Sequence, residues 1–346
     1  MSQGSRLPVA VVGAGGWGRN HVRNFAALQG AELRYVCDRS EPARARAAEL
    51  APSARLVSEP DAMLRDESLA AVIIATDAPS HYIVAKRALE AGKDVFVEKP
   101  LALSVGHARE LVALAGARGR ILMVGHLLLY HPAVTALKAM IDGDELGELL
   151  YIYSQRLNLG VVRQDENAWW SLAPHDLSVA NYLLGSEPEA VAASGGIFLQ
   201  PGRGIEDVVF ATVHYPGGRI ANVHVSWLDP HKTRRLTVVG SKKMAIFDDT
   251  SPDKKLTIYD KGAEPPNALT YDQGVRLRTG DIRIPALRMN EPLRRECEAF
   301  LEAVRSRRSP LADGASGLSV VRTLEAGSRS LAEGGHRVSI EAGSPS

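Results

Sequence analysis

A chain of 346 residues, 45% hydrophobic and 23% charged, is long enough for two domains of ordinary size and apolar enough to bury a core in each. Lys and Arg number 41 against 40 Asp and Glu, so the formal charge of +1 offers no global field for nucleic acid or an anionic membrane, and small soluble ligands are the expected partners. Two cysteines, Cys37 and Cys297, are too few for a disulfide framework, and residues 1–8 have neither the basic start nor the long apolar run of a leader or membrane span; a cytoplasmic protein is expected.

In chain order, residues 9–12 form a short apolar strand that runs into Gly13-Ala14-Gly15-Gly16-Trp17-Gly18, and residues 17–28 carry the apolar spacing of a helix. Strand, G-x-G-x-x-G and helix in this order are the signature of dinucleotide binding. Gly13 permits the tight turn, Gly15 lets backbone approach a pyrophosphate, and Gly18 lets helix and strand pack closely; Gly16 and Trp17 share the turn, and the phosphates meet the helix amino terminus. The next strand, residues 33–37, ends in Asp38, about twenty positions after Gly18, where a carboxylate accepts from ribose hydroxyls and repels a 2′-phosphate. NAD is therefore favoured over NADP, although Arg39 can stack on adenine or meet a phosphate. Residues 71–76 form a buried strand whose end, Thr76, opens a loop on the cofactor rim. His81 in that loop either touches the nicotinamide or ribose, or begins a helix over residues 82–91 with Ser80 as N-cap. Val95, Phe96 and Val97 make another strand, which stops at Glu98-Lys99-Pro100. The carboxyl ends of such strands line the ligand rim, so Lys99 either pairs with Glu98 as a solvated charge or polarises a substrate oxygen. A helix over 104–118 and a strand over 121–125 complete a doubly wound parallel sheet, and residues 1–126 are expected to be a Rossmann domain.

Beyond residue 127 the period changes from 3.6 towards two. A helix over 133–140 and a turn at Asp142-Gly143-Asp144 lead to a strand over 149–157, followed by alternating segments at 207–215, 219–227, 235–239, 243–247 and 255–259. Pro216-Gly217-Gly218 is a hairpin turn. Residues 127–346 are thus expected to form an α+β domain with a large, open, mainly antiparallel sheet for substrate binding, its free face suited to a homodimer or homotetramer. Residues 262–267, with two prolines, read as a loop, and 291–306 and 316–332 as closing helices. Pro174 suits the first turn of a helix running to Leu184, and His175 beside it is either a hydrogen-bonded structural histidine or a base for an alcohol proton. Arg156, Asn158 and Arg163 are either exposed polar groups or partners for a diphosphate. No histidine pair has metal-binding spacing, and no metal is expected.

The glycine motif, the terminal Asp38, Glu98-Lys99-Pro100 and the later His175-Asp176 pair together resemble the Gfo/Idh/MocA family of nicotinamide-dependent sugar and cyclitol oxidoreductases over essentially the whole chain. Tyr130-His131-Pro132-Ala133, Asn158-Leu159-Gly160, Ala173-Pro174-His175-Asp176 and Ser226-Trp227-Leu228-Asp229-Pro230 resemble its branch of 3-dehydrogenases for UDP-N-acetylglucosamine or the uronic acid of that sugar. The resemblance implies that Lys99 contacts the reacting hydroxyl, that the Lys99–Pro100 bond is cis, that His175 takes the proton, and that Arg156, Asn158 and Arg163 face substrate. One position departs from the family: four residues before the histidine an acid or amide is usual, and Ser171 stands there, removing an orienting carboxylate. The expected reaction is hydride transfer between a ring carbon, carbon 3, of a sugar or nucleotide sugar and NAD. A sugar ketoreductase, a glycosidase using NAD transiently and a non-catalytic NAD-binding sensor are the alternatives on this fold.

Overall fold

The computed structural model describes residues 6–264 and 276–341. It opens with β1 (Leu7–Val12), α1 (Gly18–Ala27), β2 (Ala31–Cys37), α2 (Glu41–Leu50), β3 (Arg55–Val57), α3 (Asp61–Leu64), β4 (Ala71–Ile74), α4 (Ala78–Glu90), β5 (Asp94–Val97), α5 (Val105–Ala117) and β6 (Leu122–Val124). The six strands form one parallel sheet in the order β3-β2-β1-β4-β5-β6. Every residue of β4 and β5 is buried, as a sheet covered on both faces requires. The strand order reverses between β1 and β4, and the crevice beyond their carboxyl ends is where such sheets bind ligands. Helix α4 begins earlier than its periodicity suggests: Asp77 occupies the cap position, Pro79 sits in the first turn where its missing N–H costs nothing, and Ser80 is inside the helix. Ser80 Oγ donates to Thr76 Oγ1 at 2.7 Å instead of capping.

The second set comprises α6 (Pro132–Asp142), β7 (Leu149–Leu157), α7 (Ala168–Leu184), β8 (Ala190–Gly196), β9 (Val208–His214), β10 (Ile220–Ser226), β11 (Thr233–Gly240), β12 (Met244–Asp248), β13 (Leu256–Tyr259), β14 (Gly262–Glu264), β15 (Arg276–Arg278) and β16 (Ile282–Arg283). With β17 (Val338–Ser339) these build a nine-stranded sheet ordered β16-β13-β12-β11-β7-β10-β9-β8-β17, antiparallel except where β7 meets β10. The β9–β10 hairpin closes at the expected turn, with Tyr215 N–H donating to Arg219 O at 2.9 Å. Two expectations are corrected here. Gly262–Glu264 is not loop but a strand paired with β15, while Pro265, Pro266 and Asn267 lie outside the described residues. Pro174 is interior to α7, which begins at Ala168, because the Asn167 side chain accepts from Trp170 N–H at 3.1 Å and nucleates the helix six residues upstream. The proline then removes only the bond to the Trp170 carbonyl.

Two helices follow, α8 (Pro292–Ser306) and α9 (Gly314–Ala332). Leu293, Cys297, Phe300, Leu301 and Val304 form one apolar stripe on α8 and join the core that contains Phe25 and Phe96. The Phe96 and Phe300 rings stand 5.5 Å apart, and Arg307 just beyond α8 pairs with Asp94 at 2.7 and 2.9 Å. The chain accordingly divides into one compact unit of residues Met1–Tyr130 with Asn290–Val321 and a second of His131–Met289 with Arg322–Ser346. This differs from contiguous domains at 1–126 and 127–346, because the α8 stripe completes the first core. No helix among the described residues is long and apolar enough to cross a membrane.

Candidate active site

In the first unit the glycines shape a cradle. Gly13 has φ +88°, and a Cβ there would lie 2.6 Å from the Ala75 carbonyl oxygen; at Gly18 it would lie 2.0 Å from the Gly13 carbonyl oxygen. Gly15 and Gly16 are the opposite case, with nothing within 4 Å of an added Cβ, so the backbone before α1 is open to approach. An open backbone leading to first-turn N–H groups fits a pyrophosphate, and the residues present therefore suit a dinucleotide. Asp38, at the end of β2, accepts from Ala14 N–H at 2.7 Å and from Ser40 N–H at 2.8 Å, which pins its carboxylate beside the turn. Arg39 is exposed, 3.5 Å from Glu59, whereas Arg44 donates to the Asp38 and Arg39 carbonyls and braces that corner from α2. Arg44 carries no motif that would single it out in the sequence.

Four rim residues behave differently from one another. His81, expected at the cofactor, is 1% exposed, with Nδ1 2.7 Å from Pro100 O and Nε2 3.2 Å from Thr76 O. Burial pushes its pKa down despite these two carbonyls, so the ring is a brace between two loops and does not present itself to a ligand. Thr76 stays half-buried at the end of β4. Glu98 turns inward: Oε1 accepts from Trp17 Nε1 at 2.6 Å and from His21 Nε2 at 2.7 Å, and Oε2 accepts from the Lys99 N–H at 3.2 Å. Burial alone would oppose its ionisation, but the hydrogen bonds from His21 and Trp17 and the charge of Lys99 outweigh it and hold the carboxyl below its usual range. Both Glu98 oxygens, expected at the cofactor, thus accept from protein donors. His21 escaped the sequence reading, although it follows Trp17 by one helical turn. Lys99 itself is half-buried at the carboxyl end of β5, and the Lys99–Pro100 bond is cis.

In the second unit, α7 carries Ser171, buried, and His175, half-buried, one turn apart. Asp176 faces away from this pair and holds Arg156 of β7 in a buried, two-pronged bond, Nε to Oδ2 at 2.7 Å and Nη2 to Oδ1 at 3.3 Å. Arg156, expected at a diphosphate, is thus the partner that anchors the residue after His175. Asn158 and Arg163 are exposed, with Arg163 3.6 Å from Glu166. No cluster that could hold a metal ion occurs among the described residues. Lys99 belongs to the first unit and His175 to the second.

Known proteins share both halves. Residues 7–126 match the profile of an oxidoreductase family with an NAD-binding Rossmann fold, and residues 134–246 match a GFO/IDH/MocA C-terminal domain. The chain is 30% identical over 318 residues to UDP-N-acetylglucosamine 3-dehydrogenase of Acidithiobacillus ferrooxidans, covering 91% of this chain and 94% of that one. It is 28% identical to scyllo-inositol 2-dehydrogenase (NAD(+)) of Bacillus subtilis, covering 87% of each. The solved structure of GenD2 from gentamicin A biosynthesis, in complex with NAD, superposes with a TM-score of 0.83 at 26% identity, covering 99% of this chain and 98% of that one.

Proposed function

The chain belongs to the Gfo/Idh/MocA family of NAD-binding oxidoreductases, and on that premise we propose that it oxidises carbon 3 of a nucleotide-linked amino sugar. The observation that carries the reading is the similarity to UDP-N-acetylglucosamine 3-dehydrogenase over 91% of the chain. When bound, NAD supplies the nicotinamide ring that accepts hydride from the carbinol carbon. The open turn at Gly15 and Gly16 would hold its pyrophosphate, and Asp38 would accept from its ribose hydroxyls. Lys99, at the ligand rim of the first unit, and His175, on α7 of the second, are the two side chains with proton chemistry, and the imidazole is the one suited to take a hydroxyl proton as a carbonyl forms. Ser171 orients that ring in place of the family's acid or amide, and Arg156 with Asp176 stiffens α7 beneath it. Asn158 and Arg163, exposed after β7, are the side chains left for the nucleotide.

A substrate panel tests this reading. UDP-N-acetylglucosamine, its uronic acid, scyllo- and myo-inositol and free sugars are each offered with NAD, and NADH absorbance and product mass are read. Oxidation of a UDP-sugar with loss of two hydrogens is the expected result; oxidation of the inositols alone would move the protein to the cyclitol enzymes. NAD is expected to bind at least about tenfold more tightly than NADP, a difference of about 1.4 kcal/mol, because Asp38 repels the additional phosphate. Asp38→Ser should narrow that gap. Calorimetry that finds NADP tighter on the unmutated protein would give the corner to Arg39 and Arg44.

We further propose a homo-oligomer, and the exposed face of the large sheet supports it. Tyr151 and Ile220 are register partners, as are Tyr153 and Asn222, and Phe210 opposite His224 extends the same exposed face. A face that exposes Tyr151, Tyr153, Phe210 and Ile220 is better covered than solvated. Light scattering should give a dimer or tetramer at micromolar concentration, and Tyr153→Glu with Phe210→Glu should dissociate it. A wild-type monomer under the same conditions would assign the face another use.

A further inference from the structure

Trp17 and Lys99 are far apart in sequence, yet they meet on one carboxylate. The Trp17 indole N–H donates to Glu98 Oε1, His21 reaches the same oxygen, and the Lys99 backbone N–H donates to Oε2. All three partners are donors, which requires an acceptor-only side chain at position 98. They also select the His21 tautomer. With the proton on Nε2, Nδ1 remains an acceptor, and the buried Cys297 thiol lies 3.9 Å from it as the matching donor. The His21 ring is wholly buried and stands edge-on to Phe96 at 5.2 Å, so the carboxylate cannot follow it elsewhere. Gly125 completes the seat, for a Cβ there would come within 2.8 Å of Glu98 Oε2. Trp17, by contrast, is 45% exposed at the cap of α1, in the turn that fits the pyrophosphate.

We propose that Glu98 is a positioning residue that couples the glycine turn to Lys99, so that cofactor bound at Trp17 sets the Lys99 backbone through the Glu98 carboxylate. A purely structural brace between α1 and β5 would use the same bonds, but its loss would lower thermal stability without reaching Lys99. The coupling lies within the first unit. Only its consequence for turnover rests on the proposed role of Lys99. Glu98→Gln is not a silent replacement, because its NH2 must face the Trp17 and His21 donors or the Lys99 donor, leaving one side opposed.

The test follows the Lys99 ammonium directly. The full-length protein is methylated reductively with 13C-formaldehyde, and the dimethyl-Lys99 resonance is assigned by its absence in Lys99→Arg. Trp17→Phe keeps an aromatic ring and removes the N–H. It is expected to shift the Lys99 resonance and to reduce by at least half the further shift caused by NADH. In the Glu98→Gln background, Trp17→Phe should cause no additional change. Where Glu98→Gln does not fold, Gly125→Ala serves, since its Cβ displaces the carboxylate from the Lys99 N–H. A Lys99 resonance indifferent to Trp17→Phe overturns the proposal, and so does an equal shift in both backgrounds, which would mean a through-space ring effect. A coupled resonance together with unchanged turnover in Trp17→Phe would uphold the coupling and remove Lys99 from the chemistry.

Discussion

Lys99→Ala is expected to slow hydride transfer by a factor of about 100 or more while NAD affinity stays within about threefold of wild type. The separation follows from where the groups stand. The cradle around Gly15 and the Asp38 carboxylate do not use the Lys99 side chain, whereas Lys99 ends β5 on the ligand rim and has its backbone held by Glu98. Single-turnover kinetics with the best substrate of the panel, alongside NAD calorimetry, measure both quantities, and a wild-type rate would return Lys99 to the solvated rim charges. His175→Asn should nearly abolish the reaction in the same assay. Ser171→Asp should raise the rate at neutral pH and move the acid limb of the profile to higher pH. A carboxylate one helical turn from the imidazole favours its protonated form, so activity that needs the neutral base is lost at a higher pH than in wild type. Full activity in His175→Asn would assign the base to Lys99 or to another group.

Gly18→Ala should cost the protein its cofactor. The new Cβ would meet the Gly13 carbonyl oxygen at 2.0 Å and its carbon at 2.7 Å, both backbone atoms of a turn already at φ +88°. The turn can relieve that overlap only by opening, which is expected to destabilise the first unit by about 1–3 kcal/mol and to weaken NAD by about 100-fold or more. Gly16→Ala provides the contrast, because its Cβ enters open space. Its thermal midpoint should match wild type while NAD affinity falls, the mark of a methyl group placed against ligand and not against protein. Thermal unfolding and calorimetry on the pair decide the matter. NAD bound at wild-type affinity by Gly18→Ala would remove the phosphates from this turn.

The elements legible in the sequence are those whose signal is local. The strand over residues 9–12, the glycine turn, the helix after it and Asp38 form one unit of about thirty residues, and backbone sterics at Gly13 and Gly18 dictate the residue types. Strands β7, β9, β10, β12 and β13 were legible from period two and from the Pro216-Gly217-Gly218 turn, because burial largely alternates along them. By contrast, β3 is a short edge strand, and β8 is rich in Ala and Gly, so neither carries a propensity signal. What the tertiary structure alone decided is the partner of each polar group. Glu98 sits beside Lys99 in sequence yet bonds Trp17 and His21, Arg156 anchors Asp176, and His81 is sealed between two carbonyls. The return of α8 to the first core is of the same kind, since its apolar stripe states that it must be buried but not against what. Periodicity constrains which face of an element leaves water; which donor then meets which acceptor depends on chain segments as much as 276 residues apart, as Cys297 and His21 are, and is settled only when those segments pack together.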